Sequence, residues 1–96
     1  MAKIEIIDVD GRRAIGVKIE LGKAPLLVIR GEKGYLMCGY LNIEVAERLG
    51  DAAAVITGVK DFKDMLTKEV KYVTSKAREL GVNEGMKGYE ALKKLM

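Results

Sequence analysis

The chain has 96 residues, a hydrophobic content of 49%, and 17 Lys and Arg against 14 Asp and Glu, for a net charge of +3. This length and composition predict one globular domain, residues 1–96, with a single core. The charges are spread evenly along the chain and aromatic residues make up only 5%. Nucleic-acid binders usually carry a basic stripe or an aromatic stacking platform, so we expect no nucleic-acid partner.

Missing residue types exclude several chemistries. The chain has no His and a single Cys, Cys38, so we expect no metal site and no cofactor. It cannot form an internal disulfide, no apolar run approaches the roughly 20 residues of a membrane span, and no signal-peptide pattern precedes the first strand. We therefore expect a reduced, cytoplasmic protein. The absence of Gln and the 32% of charged residues are typical of thermophiles.

The first 22 residues have the pattern of a β-hairpin. Residues 3–9 are rich in β-branched side chains, Asp10-Gly11 is a strong hairpin turn signal, and residues 14–21 alternate between apolar and polar or small side chains. An isolated hairpin is marginally stable in water. We therefore expect residues 1–22 to pack on the rest of the domain or on another subunit.

Residues 23–96 have the pattern of an α/β core. Two apolar runs, 26–30 and 35–38, predict a second hairpin. A short helix at 43–49 follows, with Asn42 as its N-cap, and leads to a strand at 53–57. Strand, helix and strand at this spacing predict a compact βαβ crossover with parallel strands.

The last third of the chain predicts two helices. Apolar side chains recur every three or four residues between 61 and 80, where Asp61 is a suitable N-cap, and again between 84 and 95. The predicted fold is therefore a mixed α/β (α+β) domain. It has an N-terminal β-hairpin, a central mixed sheet of about five strands with one βαβ crossover, and two C-terminal helices.

Five short motifs, four of which contain glycine, recur along the chain after the first hairpin: Pro25–Ile29, Gly34–Asn42, Gly50–Ala53, Gly58–Lys60 and Gly81–Met86. Together they resemble the motifs of a known family, the YunC-like proteins, which are small bacterial and archaeal proteins catalogued as a domain of unknown function. The resemblance covers nearly the whole chain. Its most specific parts are the glycine-cysteine-glycine stretch and the following Gly-Asp-Ala-Ala turn.

The resemblance implies an assembly more than an activity. Proteins of this family are described as tetramers joined through their N-terminal β region, and no established catalytic residues come with the family. It therefore implies that the hairpin at 1–22 is the oligomerisation region and that the chain forms a homotetramer.

Cys38 is the one candidate nucleophile. As a small apolar residue at the end of a strand it fits a core position, because free Cys is among the most buried residue types. Alternatively, the positive end of the 43–49 helix could stabilise a thiolate. Because the chain has no His, the activating group would have to be Lys60, Tyr40 or backbone N–H groups. We favour the packing interpretation.

A ligand site is predicted where residues 38–42 meet residues 57–61, because the carboxyl ends of parallel strands form the usual ligand crevice of such sheets. Two helices begin there, which favours a small anionic ligand. The same polar residues also fit ordinary helix caps and turns, an interpretation that we favour. The candidate ligand-binding residues are Cys38, Asn42, Thr57, Lys60 and Asp61.

Three classes of function remain open on the sequence alone. The leading one is a non-catalytic, homo-oligomeric binding or assembly module, with a small anionic ligand or a protein partner at the strand-end crevice. The second is a thiol-dependent enzyme that uses Cys38. The third is a structural subunit of a larger complex.

Overall fold

The computed structural model describes residues 1–96. None of its helices is long and apolar enough to cross a bilayer. The six strands and four helices are, in chain order, β1 Ala2–Val9, β2 Arg12–Glu20, β3 Pro25–Arg30, β4 Tyr35–Met37, α1 Ile43–Leu49, β5 Ala53–Val55, α2 Phe62–Thr67, β6 Tyr72–Val73, α3 Ser75–Glu79 and α4 Gly88–Lys94.

All six strands form one sheet in the order of the sequence, β1-β2-β3-β4-β5-β6. Every neighbouring pair is antiparallel except β4 and β5, which are parallel and joined by α1. This arrangement confirms the mixed α+β class and the single βαβ crossover. The sheet has one strand more than predicted, and both of its edges, β1 and β6, lack a further strand within the chain.

The turn between β1 and β2 follows directly from its sequence. Asp10 has φ 52° and Gly11 has φ 81°, the positive values that a two-residue hairpin turn matching the strand twist requires. The Gly11 N–H donates to the Asp8 side chain at 3.1 Å. The register between the two strands is uninterrupted from Ala2 to Val9.

The two faces of the sheet are covered very differently. We call the face that carries α2, α3 and α4 the inner face, and a cluster of 19 buried hydrophobic residues fills the space beneath those helices. The other, outer face carries only α1. There Ala46 of the helix packs with Met37, Ala53 and Val55 of β4 and β5 in a cluster of four.

The prediction of one helix over 61–80 is wrong. Helix α2 ends at Thr67, and the next residue, Lys68, has extended backbone angles of φ −81° and ψ 167°. The chain then forms β6, in which Val73 pairs with Ala54 of β5. Helix α3 begins only at Ser75.

Non-local pairing overrides the helical periodicity in this segment. Val70 donates its N–H to the Met86 carbonyl at 2.8 Å and accepts from Gly85 at 2.9 Å. The β-branched residues Val70, Val73 and Thr74 also favour extended backbone. Pairing with β5 and with residues 85–87 satisfies backbone groups that a continuous helix would leave unpaired on the sheet edge.

Helix α4 begins at Gly88, later than the predicted 84–95. The residues before it form a turn in which Gly85 has φ 90°, and Lys87 pairs with Glu69 in an isolated bridge. A Cβ at Gly88 would overlap the Met65 carbonyl oxygen. This glycine therefore lets α4 lie directly against α2.

Candidate functional site

The most distinctive surface lies on the outer face, over β1, β2 and β3. Cross-strand partners share a side of the sheet, and the pairs Ile4–Val17, Ile6–Ile15 and Val17–Val28 all point outward. No helix covers this region. Ile4 is 73% exposed and Ile6 is 59% exposed. We call this surface the open patch; it consists of Ile4, Ile6, Ile15, Val17, Ile19 and Val28.

Helix α1 adds apolar side chains along one border of the open patch. With 3.6 residues per turn, Val45 and Leu49 lie on the flank of the helix opposite Glu47. Glu47 accepts a hydrogen bond from the Ser75 N–H of α3 at 2.8 Å, so its flank faces β6. Val45 and Leu49 therefore face β3 and the open patch, and Leu49 is 71% exposed.

The free edge of β1 is a second unpartnered feature of the same region. The strand has eight residues, contains no Pro and pairs along its whole length with β2 on one side only. Proteins usually protect an edge strand of this kind with charged side chains, a proline, a bulge, a covering element or another chain. β1 carries Lys3, Glu5 and Asp8 but has no proline, bulge or covering element.

A crevice of about 270 Å³ lies where the sequence predicts a ligand site. It is lined by residues of the two predicted segments together with the start of β3, and its lining contains no charged side chain. The presence of an anionic ligand there remains a prediction. The lining residues are Ala24, Pro25, Cys38, Gly39, Tyr40, Gly58 and Val59.

Cys38 is buried at the base of this crevice. Only 3% of the residue is exposed, and it belongs to the core cluster of the inner face. Its Sγ accepts a hydrogen bond from the Leu27 N–H at 3.3 Å, and its own N–H donates to the Leu27 carbonyl at 3.0 Å. These contacts account for Cys38 as a packing residue between β3 and β4.

Two of the other candidate residues act as helix caps. The Asn42 Oδ1 accepts from the Glu44 N–H at 2.7 Å, and the Asp61 Oδ1 accepts from the Asp64 N–H at 2.8 Å. Asp64 in turn accepts from the Lys60 N–H at 3.1 Å. The Asn42 amide oxygen and the Asp61 carboxylate therefore both accept hydrogen bonds from backbone N–H groups, as expected of helix caps.

Thr57 and Lys60 have exposed side chains and do not line the crevice. The structure brings to the crevice a cation that the sequence did not predict there: the Lys68 Nζ donates to the carbonyl of the lining residue Gly58 at 2.6 Å. Lys68 comes from the segment predicted as continuous helix, so only the actual break after Thr67 brings it to this position.

Other polar contacts fix α1 to the sheet rather than form a reactive centre. The Tyr35 hydroxyl donates to the Asp51 Oδ2 at 2.7 Å. Burial, together with this hydrogen bond and the negative charge of Asp51, raises the pKa of Tyr35 to about 12. The hydrogen bond from the Ser75 N–H lowers the pKa of Glu47 below its ordinary value. No three Cys, Asp or Glu side chains are grouped so that they could hold a metal ion.

The sequence predicts the composition of the open patch but not its direction. The alternation in β2 separates Ile15, Val17 and Ile19 from Ala14 and Gly16, and it does not say which set faces the core. Ala14 and Gly16 face inward beneath α2, and a Cβ at Gly16 would lie 2.7 Å from the Phe62 Cε1.

The fold and these surfaces define a class: a small α+β protein with a six-stranded mixed sheet, a helix-covered inner face and a largely uncovered, apolar outer face. The chain belongs to the YunC-like family, described as a domain of unknown function, DUF1805, which matches residues 37–95. The matched segment begins in β4, so the whole open patch lies before it.

Two relatives extend the similarity to the whole chain. The uncharacterized protein YunC of Bacillus subtilis (strain 168) is 31% identical over 100 residues, covering 100% of this chain and 99% of that protein. A crystal structure of a protein of unknown function from Thermoplasma acidophilum is 41% identical, with a TM-score of 0.96. It covers 100% of this chain and 94% of the other.

Proposed function

We propose that this protein is a non-catalytic, homo-oligomeric assembly module whose copies pack against one another through the open patch. The observation that carries the proposal is the uncovered apolar surface of β1, β2 and β3, bordered by Val45 and Leu49. Contiguous exposed apolar surface on a small protein usually marks an interaction site. Complete burial of one Ile side chain contributes about 1.5–3 kcal/mol, so an interface that covers the open patch on both copies supplies an apolar contribution large enough to offset the cost of association.

A second copy of the chain is the occupant that best fits this surface. A small domain of this size buries a modest share of its surface alone and gains from self-association. The β1 edge continues directly from the open patch, so the same hairpin offers both a face and an edge. Two different two-fold interfaces are what a tetramer with dihedral symmetry requires, and this supports the tetramer that the family resemblance implies.

The setting we propose is the cytoplasm of a thermophile. A buried single cysteine is compatible with a reducing compartment. The scarcity of amide side chains and the 32% of charged residues support growth at high temperature. The similar structure from Thermoplasma acidophilum is consistent with that origin.

Charge placed in the open patch tests the assembly. Ile6 and Ile15 are cross-strand partners, so Ile6→Lys together with Ile15→Lys puts two positive charges at the centre of the interface. We expect the molar mass from light scattering at micromolar concentration to fall to half or less of the wild-type value. Far-UV circular dichroism should show a retained fold, because both side chains are at least 44% exposed in the single chain.

Leu80→Lys is the matched control. Leu80 is also an exposed apolar residue, 37% against 44% for Ile15, but it lies at the end of α3, away from the outer face. This variant should keep the wild-type mass. A wild-type protein that is a compact monomer at micromolar concentration would contradict the proposal. Stable co-purification of the wild type with one different protein would support the structural-subunit alternative instead.

A further inference from the structure

The free edge of β1 presents backbone groups that no strand of the chain pairs with. The Glu20 N–H of β2 donates to the Met1 carbonyl at 2.9 Å. Opposite residues of an antiparallel pair alternate between hydrogen-bonded and non-hydrogen-bonded positions. Along the register of β1 and β2, the odd-numbered residues of β1 therefore bond to β2, and the even-numbered residues point their N–H and carbonyl groups away from the sheet. The outward-pointing residues are Ala2, Ile4, Ile6 and Asp8.

The charged side chains of β1 lack opposite charges on the neighbouring strand. Lys3 and Glu5 both lie on the inner face, and their charged groups are 3.6 Å apart along the strand. Across the strand, Lys3 lies opposite another cation, Lys18, and Glu5 lies opposite Gly16, which has no side chain. An opposite charge for either residue can therefore come only from the free side of β1.

A second copy of β1 supplies these charges when the two strands pair antiparallel about a two-fold axis at Ile4. Each Lys3 then lies opposite Glu5 of the second copy in a non-hydrogen-bonded pair, whose Cα atoms are about 4.5 Å apart. The two Ile4 residues lie opposite each other on the outer face and exchange backbone hydrogen bonds, as their outward-pointing groups require. Ala2 of each copy lies opposite Ile6 of the other, so the open patch continues across the axis.

The neighbouring registers lack this complementarity. With the axis at Lys3 or at Glu5, two like charges lie opposite each other, which destabilises a cross-strand pair. With the axis at Ile6, Asp8 of each copy lies opposite Ile4 of the other, which places a carboxylate against an apolar side chain. Charges on an edge strand usually oppose pairing with another chain. On β1 they oppose these registers and favour the one with its axis at Ile4.

The other edge of the sheet is a poor partner for β1. Strand β6 has only two residues, too few to cover the eight of β1. Pairing of β1 with itself about a two-fold axis also gives a closed dimer, whereas pairing of unlike edges would continue into an open ribbon.

We propose that β1 pairs with β1 of a second copy in the register with its axis at Ile4, which joins the sheets of two chains into one continuous sheet. The proposal rests on the assembly proposed above for the identity of the partner, but it uses the edge of the hairpin and not its outer face. In a tetramer with dihedral symmetry, the edge contact forms one two-fold interface and the open patch forms another. Substitutions at the two surfaces therefore distinguish the two proposals.

Reversal of one charge at a time tests the register. Lys3→Glu places two carboxylates opposite each other on both sides of the axis, and Glu5→Lys places two ammonium groups there. Because like charges in opposite positions are destabilising, we expect each variant to lose half of its molar mass, measured by light scattering along a dilution series, at a concentration about ten-fold or more above that of the wild type. The difference should shrink as ionic strength rises.

An equimolar mixture of Lys3→Glu and Glu5→Lys should recover the wild-type behaviour. Every opposite pair in the mixed contact again joins one acid and one base, although each chain keeps like charges at positions 3 and 5 of its own strand. Recovery on mixing therefore separates pairing between chains from the ion pair within one chain. With one variant isotopically labelled, native mass spectrometry should show equal numbers of the two variants in each assembly. Both variants should fold, since 66% of the Lys3 side chain and 41% of the Glu5 side chain are exposed.

Glu20→Lys is the matched control. It reverses the charge of another exposed Lys–Glu pair, that of Glu20 with Lys18, but β2 has a neighbouring strand on both sides. This control should dissociate at the same concentration as the wild type. The proposal is overturned if either single variant of β1 also does so at low ionic strength, or if the mixture fails to recover the wild-type mass.

The two proposals can fail separately. If Ile6→Lys with Ile15→Lys lowers the mass while both charge variants dissociate like the wild type, the edge contact is wrong and the open patch stands. The reverse result supports the edge contact and overturns the open patch. A monomeric wild type overturns both.

Discussion

The inner and outer faces of the β1–β2 hairpin are made from the same two strands, yet their exposed side chains are of opposite character. Where the helices do not reach, the inner face is charged, with Lys3 3.6 Å from Glu5 and Lys18 3.5 Å from Glu20. The outer face is equally free of helices but carries isoleucine and valine. A sheet face in contact with solvent usually carries charged side chains. An apolar face that no element of its own chain covers indicates that another molecule covers it.

This comparison separates two kinds of apolar residue. Those of the inner face stabilise the single chain, because they are already buried beneath α2, α3 and α4. Those of the open patch contribute little until a second surface covers them. The difference can be measured, since stability that comes from association depends on protein concentration and stability that comes from the core does not.

Truncation of one isoleucine on each face should give the largest contrast. Ile29 is fully buried on the inner face, so Ile29→Ala should lower the free energy of unfolding by about 2–5 kcal/mol at every protein concentration. Ile4→Ala should cost less than about 0.5 kcal/mol at dilutions where the wild type is dissociated. At higher concentration its cost should grow as the wild type assembles.

Denaturant unfolding at several protein concentrations measures both variants. An Ile4→Ala cost that stays constant with dilution would break the distinction between the faces, because it would place Ile4 in the core of the single chain. The wild type itself should become more resistant to denaturant as its concentration rises.

A methyl group added at Gly16 on the inner face should lower the free energy of unfolding by an amount between the effects of Ile29→Ala and Ile4→Ala. A Cβ at Gly16 would lie 2.7 Å from the Phe62 Cε1 and 2.9 Å from the Ile7 Cδ1. Both are side-chain ends that can move, so Gly16→Ala should destabilise the chain by about 1–3 kcal/mol. Adding Phe62→Leu should recover part of that loss by making room.

Gly22→Ala is the control for this substitution. A Cβ at Gly22 would meet no atom within 4 Å and the residue has no positive φ, so the change in stability should stay within about 0.5 kcal/mol. Thermal or chemical unfolding distinguishes the two variants. Equal stability of Gly16→Ala and the wild type would mean that α2 does not press on β2, and the inner face would then be less closed than described.

The parts of the fold that local signals specify could be read from the sequence. The Asp10-Gly11 turn, the Asn42 cap and the βαβ crossover each depend on neighbouring residues, and all three are present. Strand β6 could not be read in this way. Its residues fit a helical stripe, and only the pairing of Val73 with Ala54 decides for a strand.

The sites also differ in whether local signals or contacts between distant segments determine them. The crevice at Cys38 could be predicted because two consecutive parallel strands must end side by side. The direction in which the open patch faces could not, since it depends on Phe62 packing over Gly16 from a distant segment.

The reactivity of Cys38 gives the subtlest test of how completely the inner face is closed. The thiol belongs to the inner-face cluster and is 3% exposed, so a reagent reaches it only when the strand end opens. We expect a chromogenic disulfide reagent at neutral pH to modify the folded protein about 100-fold more slowly than the unfolded chain. The rate should rise in parallel with local opening as denaturant is added.

Cys38→Ala provides the blank for this measurement and a check on stability. Losing one buried sulfur should cost roughly 1 kcal/mol, in line with other small truncations in a core. Modification of the folded wild type at nearly the unfolded rate would show that the thiol is open to the crevice. A thiol-dependent enzyme would then become the stronger interpretation of Cys38. The inner face would also be less completely closed at this end of the sheet than its contrast with the open outer face requires.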